Sequence, residues 1–350
     1  MSLFIVLVLK KVVRCTPVRV CRRKRKHKQI RWRRKEMSAK VLYIVIPCFN
    51  EQAVLPLTSD ILKAKLDALK ANNTISADSR VLFVNNHSTD DTFSCIESIC
   101  KKHPDSFTGI SLSRNCGQQI ALIAGLETAA RYADIMITMD ADLQDDPNAI
   151  DEMIRKNEAG AEIVYGVRSD RPNDSYFKRA SAKWFYRFSD RLGMDLIPDH
   201  GDFRLMDKRS VTALCANKEN EPFLRGQVPF LGFRSDTVFY ERQNRMAGDS
   251  SYSVKQLIDF AVSGITTCST KPLRLAFIFG FADILAAVAA FIAALILSGK
   301  SSVLIIAGLV LWLAGTNKFI LGIIGEYLGK VHREVKAHPM YLIEQTLSED

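Results

Sequence analysis

The sequence predicts an α/β chain: parallel strands with helices on both faces, followed by a hairpin of two membrane-length helices. Three observations predict it. From Val41 to Val167, apolar β-rich runs alternate with helix-like stretches. The polar motifs of that half fall just after the apolar runs. Two long apolar segments fill the C-terminal third.

The strand runs are Val41–Ile46, Arg80–Val84, Thr108–Leu112, Ile135–Met139 and Ile163–Val167. The helix-like stretches between them are Glu51–Ala71, Asp91–Lys102, Gln118–Arg131 and Pro147–Asn157. Strand, helix, strand at this spacing implies βαβ crossovers and a parallel sheet. In such a sheet, ligands sit at the carboxyl ends of the strands. There the sequence places Pro47-Cys48-Phe49-Asn50-Glu51, Asn85-Asn86-His87-Ser88-Thr89-Asp90, Ser113-Arg114-Asn115 and Asp140-Ala141-Asp142-Leu143-Gln144. Four loops converging on one edge predict a site.

The last of these loops carries the most chemistry. An apolar run ends in two carboxylates one residue apart, with an amide two residues on. In an extended or turn-like backbone, alternate residues point the same way, so Asp140, Asp142 and Gln144 can converge. Three hard oxygen donors suit Mg²⁺ or Mn²⁺ carrying a diphosphate. The competing reading is a solvated acidic turn capping the helix that Pro147 begins.

Leu275–Leu297 would span about 35 Å as a helix, enough for a hydrocarbon core of about 30 Å. Val303–Ile324 is also long enough. Asp283 lies inside the first and Asn317 and Lys318 inside the second, where polar groups face a partner helix or a polar cavity. The alternative is a pair of buried core helices. The short Ser298–Ser302 link makes an αα-hairpin, which returns the chain to its starting side. Lys271, Arg274, Lys330, Arg333 and Lys336 flank the open end against Lys300 alone in the link, which predicts that both ends are cytoplasmic. Two amphipathic stretches precede the hairpin. In Lys178–Leu192, Arg179, Lys183 and Arg187 share one side, with Phe177, Trp184, Phe185 and Phe188 apolar; Ser253–Thr267 leads into the first span. They read as helices lying in the membrane interface, or as ordinary surface helices packed on the sheet.

The net charge of +10 is unevenly spread over the 350 residues. Residues 1–36 carry 14 Lys/Arg against Glu36 alone; the other 314 residues carry 34 bases against 37 acids. The basic arm has three readings: nucleic-acid binding, contact with anionic headgroups, or a segment upstream of a start at Met37. No nucleic-acid module follows it, so a nucleic-acid partner is not expected. Leu3–Leu9 is too short for a span and poorly shaped as a signal peptide. The eight cysteines form no C-x-x-C pair and no metal-ligand spacing, which predicts reduced cytosolic thiols. The boundaries that follow are 1–36 arm, 37–252 catalytic domain, 253–271 interfacial helix, 272–328 hairpin and 329–350 cytosolic tail.

Further motifs fall in order: Leu112-Ser113-Arg114-Asn115-Cys116-Gly117, Gly201-Asp202-Phe203-Arg204-Leu205-Met206, Phe223-Leu224-Arg225-Gly226, Arg245-Met246-Ala247-Gly248, Pro272-Leu273-Arg274 and Gly325-Glu326-Tyr327-Leu328-Gly329. With the loops above, the chain resembles the inverting GT-A polyprenyl-phosphate glycosyltransferases, in the bactoprenol glucosyltransferase branch related to dolichol-phosphate mannose synthase. The likeness runs from about Val41 to about Tyr341. It implies a GT-A (Rossmann-like) nucleotide-sugar domain with interfacial amphipathic helices and a C-terminal two-helix transmembrane hairpin. The implied reaction moves a hexose, glucose in that branch, from a UDP-sugar to undecaprenyl-type polyprenyl phosphate at the cytosolic membrane face, with inversion. Mannosyl, N-acetylhexosaminyl or aminoarabinosyl transfer are the alternatives. A homo-oligomer in the inner membrane is expected.

The resemblance also implies residue roles. Asp140, Asp142 and Gln144 would hold the metal, and Pro47, Asn50, Glu51, Asn85, Asn86, Arg114, Asp140 and Ala141 would line the nucleotide. Arg168, Arg179, Arg204 and Arg245 would bind the acceptor phosphate, whose oxygens a guanidinium fork fits well. Asp202 is the expected carboxylate beside the reacting centre, orienting the acceptor or sugar more than acting as a base. Two departures stand out: Asn85-Asn86-His87 stands where relatives usually have Asp-Asp-Gly or Asn-Asp-Gly, and Ser251 stands where relatives often carry lysine. Two rivals remain. A processive polysaccharide synthase would need more spans and a Q-x-x-R-W segment. A membrane-tethered nucleotide-sugar-binding regulator would follow if the altered loop has ended catalysis.

Overall fold

A computed structural model describes residues 39–169, 197, 200–241, 264–267, 269–296, 300–336 and 338–347. The basic arm, the Lys178–Leu192 stretch, Arg179, Arg245 and Ser251 lie outside the described residues, as does most of Ser253–Thr267.

The strands are β1 (Leu42–Cys48), β2 (Arg80–Asn85), β3 (Phe107–Leu112), β4 (Ile135–Thr138), β5 (Ile163–Arg168), β6 (His200–Asp207), β7 (Ser235–Tyr240) and β8 (Ile343–Thr346). The helices are α1 (Leu55–Ala71), α2 (Thr92–Lys102), α3 (Gln118–Ala129), α4 (Ala149–Glu158), α5 (Lys208–Cys215), α6 (Leu224–Phe230), α7 (Lys271–Ile296) and α8 (Lys300–Lys336). One eight-stranded sheet runs in the order β7-β5-β6-β4-β1-β2-β3-β8.

The five predicted strands form, each within two residues of its expected ends, because a near-continuous apolar run suits a strand buried on both faces. Alternate residues of β1 feed two cores. Leu42, Ile44 and Ile46 join α1, α2 and α4 on one face. Tyr43 and Val45 join α3, α5 and α6 on the other. Helix α3 lies especially close to the sheet. A Cβ on its Gly125 would overlap Val45 Cγ1 and come within 2.7 Å of Val84 Cγ2.

The sheet is mixed, where an all-parallel one was expected. β6 is antiparallel to both β4 and β5, and β8 is antiparallel to β3. β6 was illegible because its buried residues include His200, Asp202 and Arg204, so it shows no apolar pattern. Its reversal matters for the site. The amino end of β6 falls at the edge where β4 and β5 finish, with Thr138 opposite Arg204 and Val167 opposite His200.

The expected separate tail is not separate either. Gly329–Lys336 continue α8, and β8 adds an edge to the sheet. Ser113 N–H donates to Leu342 O at 3.0 Å, Leu347 N–H to Gly109 O at 2.7 Å and Tyr341 Oη–H to Glu127 at 2.5 Å. All four β8 residues are exposed, so no apolar alternation announced the strand.

α7 and α8 are long and apolar enough to cross a membrane, and the apolar windows within them are 6% and 0% buried. They are therefore not core helices of the described chain. α8 starts at Lys300, inside the stretch Ser298–Ser302 expected as the link. Asp283 accepts a hydrogen bond from Trp312 Nε1 across the hairpin at 2.9 Å, and Asn317 donates to Leu313 O of its own helix.

Candidate active site

The loops after β1 and β2 are laced together. Asn50 takes a left-handed backbone (φ 57°), which asparagine tolerates; its N–H donates to Ser88 Oγ at 3.1 Å, and its Oδ1 accepts from Thr89 N–H at 2.9 Å. Glu51 N–H donates to Thr92 Oγ1 at 2.8 Å. Pro47 and Glu51 are partly exposed and Asn50 is exposed, so this loop is accessible from solvent.

Asn85 and Asn86, expected to touch a nucleotide, are each 4% exposed and serve as braces. Asn85 Nδ2 donates to Ser111 Oγ, while its Oδ1 accepts from Ser88 N–H. Asn86 Nδ2 donates to Asn115 Oδ1, and its Oδ1 accepts from Cys116 N–H. A buried amide must fill both its donor and its acceptor; loop backbone N–H groups meet the two oxygens, and the Ser111 and Asn115 side chains accept from the two nitrogens. His87 at the tip is exposed and left-handed (φ 57°), which explains why a glycine would suit the position. Arg114 is exposed and donates to Met340 O at 3.4 Å, so the C-terminal segment borders this loop.

The segment after β4 takes the turn-like of the two expected backbones, extended or turn-like. Leu143 is 3% exposed yet left-handed (φ 54°), a costly conformation for a bulky apolar side chain. The turn carries Gln144 N–H back onto Asp142 Oδ1 at 3.2 Å. Ala141 packs in the core, and its carbonyl accepts from Thr58 Oγ1 at 2.8 Å, so its side chain does not line a nucleotide pocket.

The residue types around the turn still fit a divalent ion. Burial, then the charges of Asp145, Asp202 and Asp142, push the Asp140 carboxyl up to about 8, against Arg168. The charges of three neighbouring carboxylates thus disfavour an ionised Asp140, and Arg168 offsets them only in part. Among the described residues no three His, Cys, Asp or Glu side chains form a ready metal cage. A Mg²⁺ or Mn²⁺ bound by one or two carboxylates, completed by phosphate oxygens and water, does not need one.

Arg168 ends β5 and is held in place. Its guanidinium lies 3.9 Å from Asp145, and its Nε donates to Tyr240 Oη at 3.4 Å. Tyr240 in turn donates to Asp145. Gly201 packs beneath it, and a Cβ there would sit 3.1 Å from Arg168 Nη2, so the guanidinium would have to give by a few tenths of an ångström.

Asp202, 5% exposed at the amino end of β6, is held on all sides. Arg204 donates to its Oδ1 at 2.7 Å; Gln119 and Arg225 donate to its Oδ2, each at 3.4 Å. Burial alone would raise its pKa; Arg225 and then Arg204 outweigh burial and hold the carboxyl below its usual range. Arg204, expected to bind the acceptor phosphate, is 1% exposed and bonded to Asp202 and Leu224 O. A guanidinium so enclosed cannot meet a lipid headgroup; it is the counter-ion of Asp202.

Gln118, Gln119, Asp145, Tyr240 and His200 were not singled out from the sequence, and Arg225 was quoted in a motif without a role. Besides that motif, a signal was available in Gln118-Gln119, two amides opening a largely apolar helix after the left-handed Gly117 (φ 85°).

His200 is 4% exposed; its Nδ1–H donates to Ile197 O, and its Nε2 has no partner among the described residues. Burial, then Arg204, pushes its pKa down to about 4. An unfolded histidine titrates near 6.5, so the unfolded chain binds the extra proton between pH 4 and 6.5 and stability rises with pH across that window. The shift corresponds to about 3 kcal/mol at most. His200→Phe should flatten that part of a thermal-midpoint series between pH 4.5 and 7 in detergent. Parallel curves for the two chains would refute the assignment.

Comparison with known proteins agrees with this geometry. Residues 43–214 match the model of glycosyl transferase family 2. The uncharacterized glycosyltransferase YkoT of Bacillus subtilis (strain 168) is 43% identical over 88% of this chain and 93% of its own. The prophage bactoprenol glucosyl transferase homolog of Escherichia coli (strain K12) is 33% identical over 86% of this chain and 98% of its own. The SfII prophage-derived bactoprenol glucosyl transferase of Shigella flexneri is 32% identical over 87% and 97%. With its mixed sheet, its carboxylate edge and its two long apolar helices, the chain belongs to glycosyl transferase family 2, on the branch of the bactoprenol glucosyl transferases.

Proposed function

We propose that the protein transfers glucose from UDP-glucose to a polyprenyl phosphate at the cytosolic face of a membrane, inverting the anomeric centre. The observation that carries this reading is the juxtaposition, at one sheet edge, of the Asp140 carboxylate and an arginine-held Asp202, each bonded to one of the adjacent Gln118 and Gln119. The names of the bactoprenol relatives support the sugar and the lipid.

Asp140 and Asp142, with Gln144, would hold a Mg²⁺ or Mn²⁺ ion. When bound, that ion acts as a Lewis acid and neutralises the diphosphate of the departing UDP. Pro47, Asn50, Glu51 and Arg114 border the same edge and would receive the nucleoside, while Asn85 and Asn86 brace the loops that shape the pocket. An acceptor phosphate oxygen attacks the anomeric carbon as the bond from that carbon to the UDP oxygen breaks on the opposite face. A phosphate monoester is largely ionised near neutral pH, so the attacking group needs little proton removal. Asp202, held as a carboxylate by Arg204 and Arg225, suits orientation of the reactants better than proton abstraction. Besides the enclosed Arg204, the described residues Arg168 and Arg225 bring positive charge to this carboxylate edge, and Arg179 and Arg245 remain assigned to the acceptor phosphate on sequence grounds.

The hairpin supplies the meeting of a water-soluble donor with a lipid acceptor. α7 leaves and α8 returns, and β8 then joins the catalytic sheet. That path supports both hairpin ends on the sheet's side of the membrane, with the site at headgroup height.

The test is a panel of UDP-glucose, UDP-galactose, UDP-N-acetylglucosamine and GDP-mannose with a short polyprenyl phosphate in detergent, with and without Mn²⁺. Glycolipid and UDP should form together, only with metal and acceptor present, and with the anomeric configuration inverted. UDP binding without glycolipid from any donor would favour the regulator reading.

A further inference from the structure

The carboxylate on the donor side and the carboxylate on the acceptor side are each held by one of two consecutive residues. Gln118 Nε2 donates to Asp140 Oδ1 at 2.8 Å. Gln119 Nε2 donates to Asp202 Oδ2 at 3.4 Å, and its Oε1 accepts from Leu224 N–H at 3.2 Å. Neighbours on a helix point about 100° apart, so adjacent side chains can fan out to two different groups.

We propose that Gln118 and Gln119 are positioning residues that fix the spacing between the donor-side Asp140 and the acceptor-side Asp202. The proposal rests on the reading of Asp140 as a metal carboxylate and of Asp202 as the acceptor-side carboxylate.

Two features suit α3 to this task. The helix is anchored: Ala121, Leu122, Ile123, Ala124, Leu126 and Ala129 are all buried, and Gly125 allows contact with Val45 and Val84. Its first turn therefore cannot shift without repacking the sheet. The amide group is also the required chemistry at 119. Only a side chain that both donates and accepts can hold Asp202 while receiving the Leu224 N–H, the residue before Arg225. Arg225 itself donates to Asp202, so Gln119 ties the carboxylate and the start of α6 into one unit.

The test compares Gln118→Leu, Gln119→Leu and Gln119→Glu in the full chain in detergent. Affinity for Mn²⁺–UDP is read by calorimetry, and kcat and KM are read with polyprenyl phosphate. Gln118→Leu should weaken Mn²⁺–UDP binding about tenfold, since one hydrogen bond to a charged group is lost. Gln119→Leu should leave that affinity within about twofold, while kcat falls about tenfold or more.

Gln119→Glu separates positioning from simple folding. Its oxygen still accepts the Leu224 N–H, but it cannot donate to Asp202 and places a like charge beside it. It should be at least as impaired in kcat as Gln119→Leu, while its Mn²⁺–UDP affinity stays within about twofold of wild type, which a misfolded chain would not retain. A Glu variant with wild-type kcat, or Leu variants at 118 and 119 with the same kinetic signature, would overturn the proposal. Absence of Mn²⁺–UDP binding by the wild-type chain would instead overturn the parent reading, and this one with it.

Discussion

Asp140→Asn should yield a protein that is inactive yet more stable than its parent when metal is absent. The carboxyl of Asp140 is pushed up to about 8, first by burial and then by Asp145, Asp202 and Asp142. Between pH 4 and 8 the folded chain therefore keeps a proton that the unfolded chain releases. Stability of the metal-free protein must fall as pH rises through that window and level off above it. An asparagine has no such proton to lose, so its stability should be flat there and higher by about 2 kcal/mol near pH 8, at roughly 1.4 kcal/mol per unit discounted for partial exposure. Saturating Mn²⁺ should flatten the wild-type curve as well, because the ion replaces the proton as counter-charge. Transfer, by contrast, should fall about 10³-fold, since a metal-bound leaving group is worth several kcal/mol of barrier. Thermal midpoints with EDTA or Mn²⁺ across pH, beside initial rates, check both halves. An asparagine variant that keeps its rate, or is less stable in EDTA at pH 8, would remove Asp140 from the metal site.

The parts of this site that were legible in the sequence share one property: their chemistry is local in the chain. Asp140-Ala141-Asp142 sits at the end of an apolar run, so its place at the strand end follows from pattern alone. The strands β1 to β5 were legible for the same reason, each being buried on both faces. What escaped depends on chain reversal. β6 runs against its neighbours and carries His200, Asp202 and Arg204 inside the fold, so alternation could not reveal it. The role expected of Arg204 failed for a related reason. Phosphate-binding and ion-pairing arginines look alike in sequence, and only burial separates them. Asn85 and Asn86 make the same point for amides, because a loop brace and a ligand contact use the same side chain. β8 was hidden because an exposed edge strand of four residues has no apolar face to read. Gln118 and Gln119 gain meaning only from the two carboxylates that the fold brings to them.

The second large effect concerns the buried pair Asp202–Arg204. Asp202→Asn would leave Arg204, 1% exposed, with its charge uncompensated by that carboxylate, a loss worth about 3–5 kcal/mol when a buried pair is broken from one side. Arg204→Met should cost less, because Arg225 and Gln119 still hold Asp202. The double variant Asp202→Asn/Arg204→Met removes both charges and should recover most of the stability lost by the first. Turnover should not recover. If the carboxylate orients the reactants, kcat drops about 10²-fold or more in both Asp202→Asn chains, on the scale of losing one preorganised polar group. Mn²⁺–UDP affinity should stay within about twofold, because Asp140 and Asp142 are untouched. The measurements are thermal midpoints for the four chains, calorimetry with Mn²⁺–UDP, and kcat with the lipid acceptor. Return of turnover together with stability in the double variant would reduce Asp202 to a structural counter-ion, and the reacting centre would then have to be sought nearer Arg168 and Asp145.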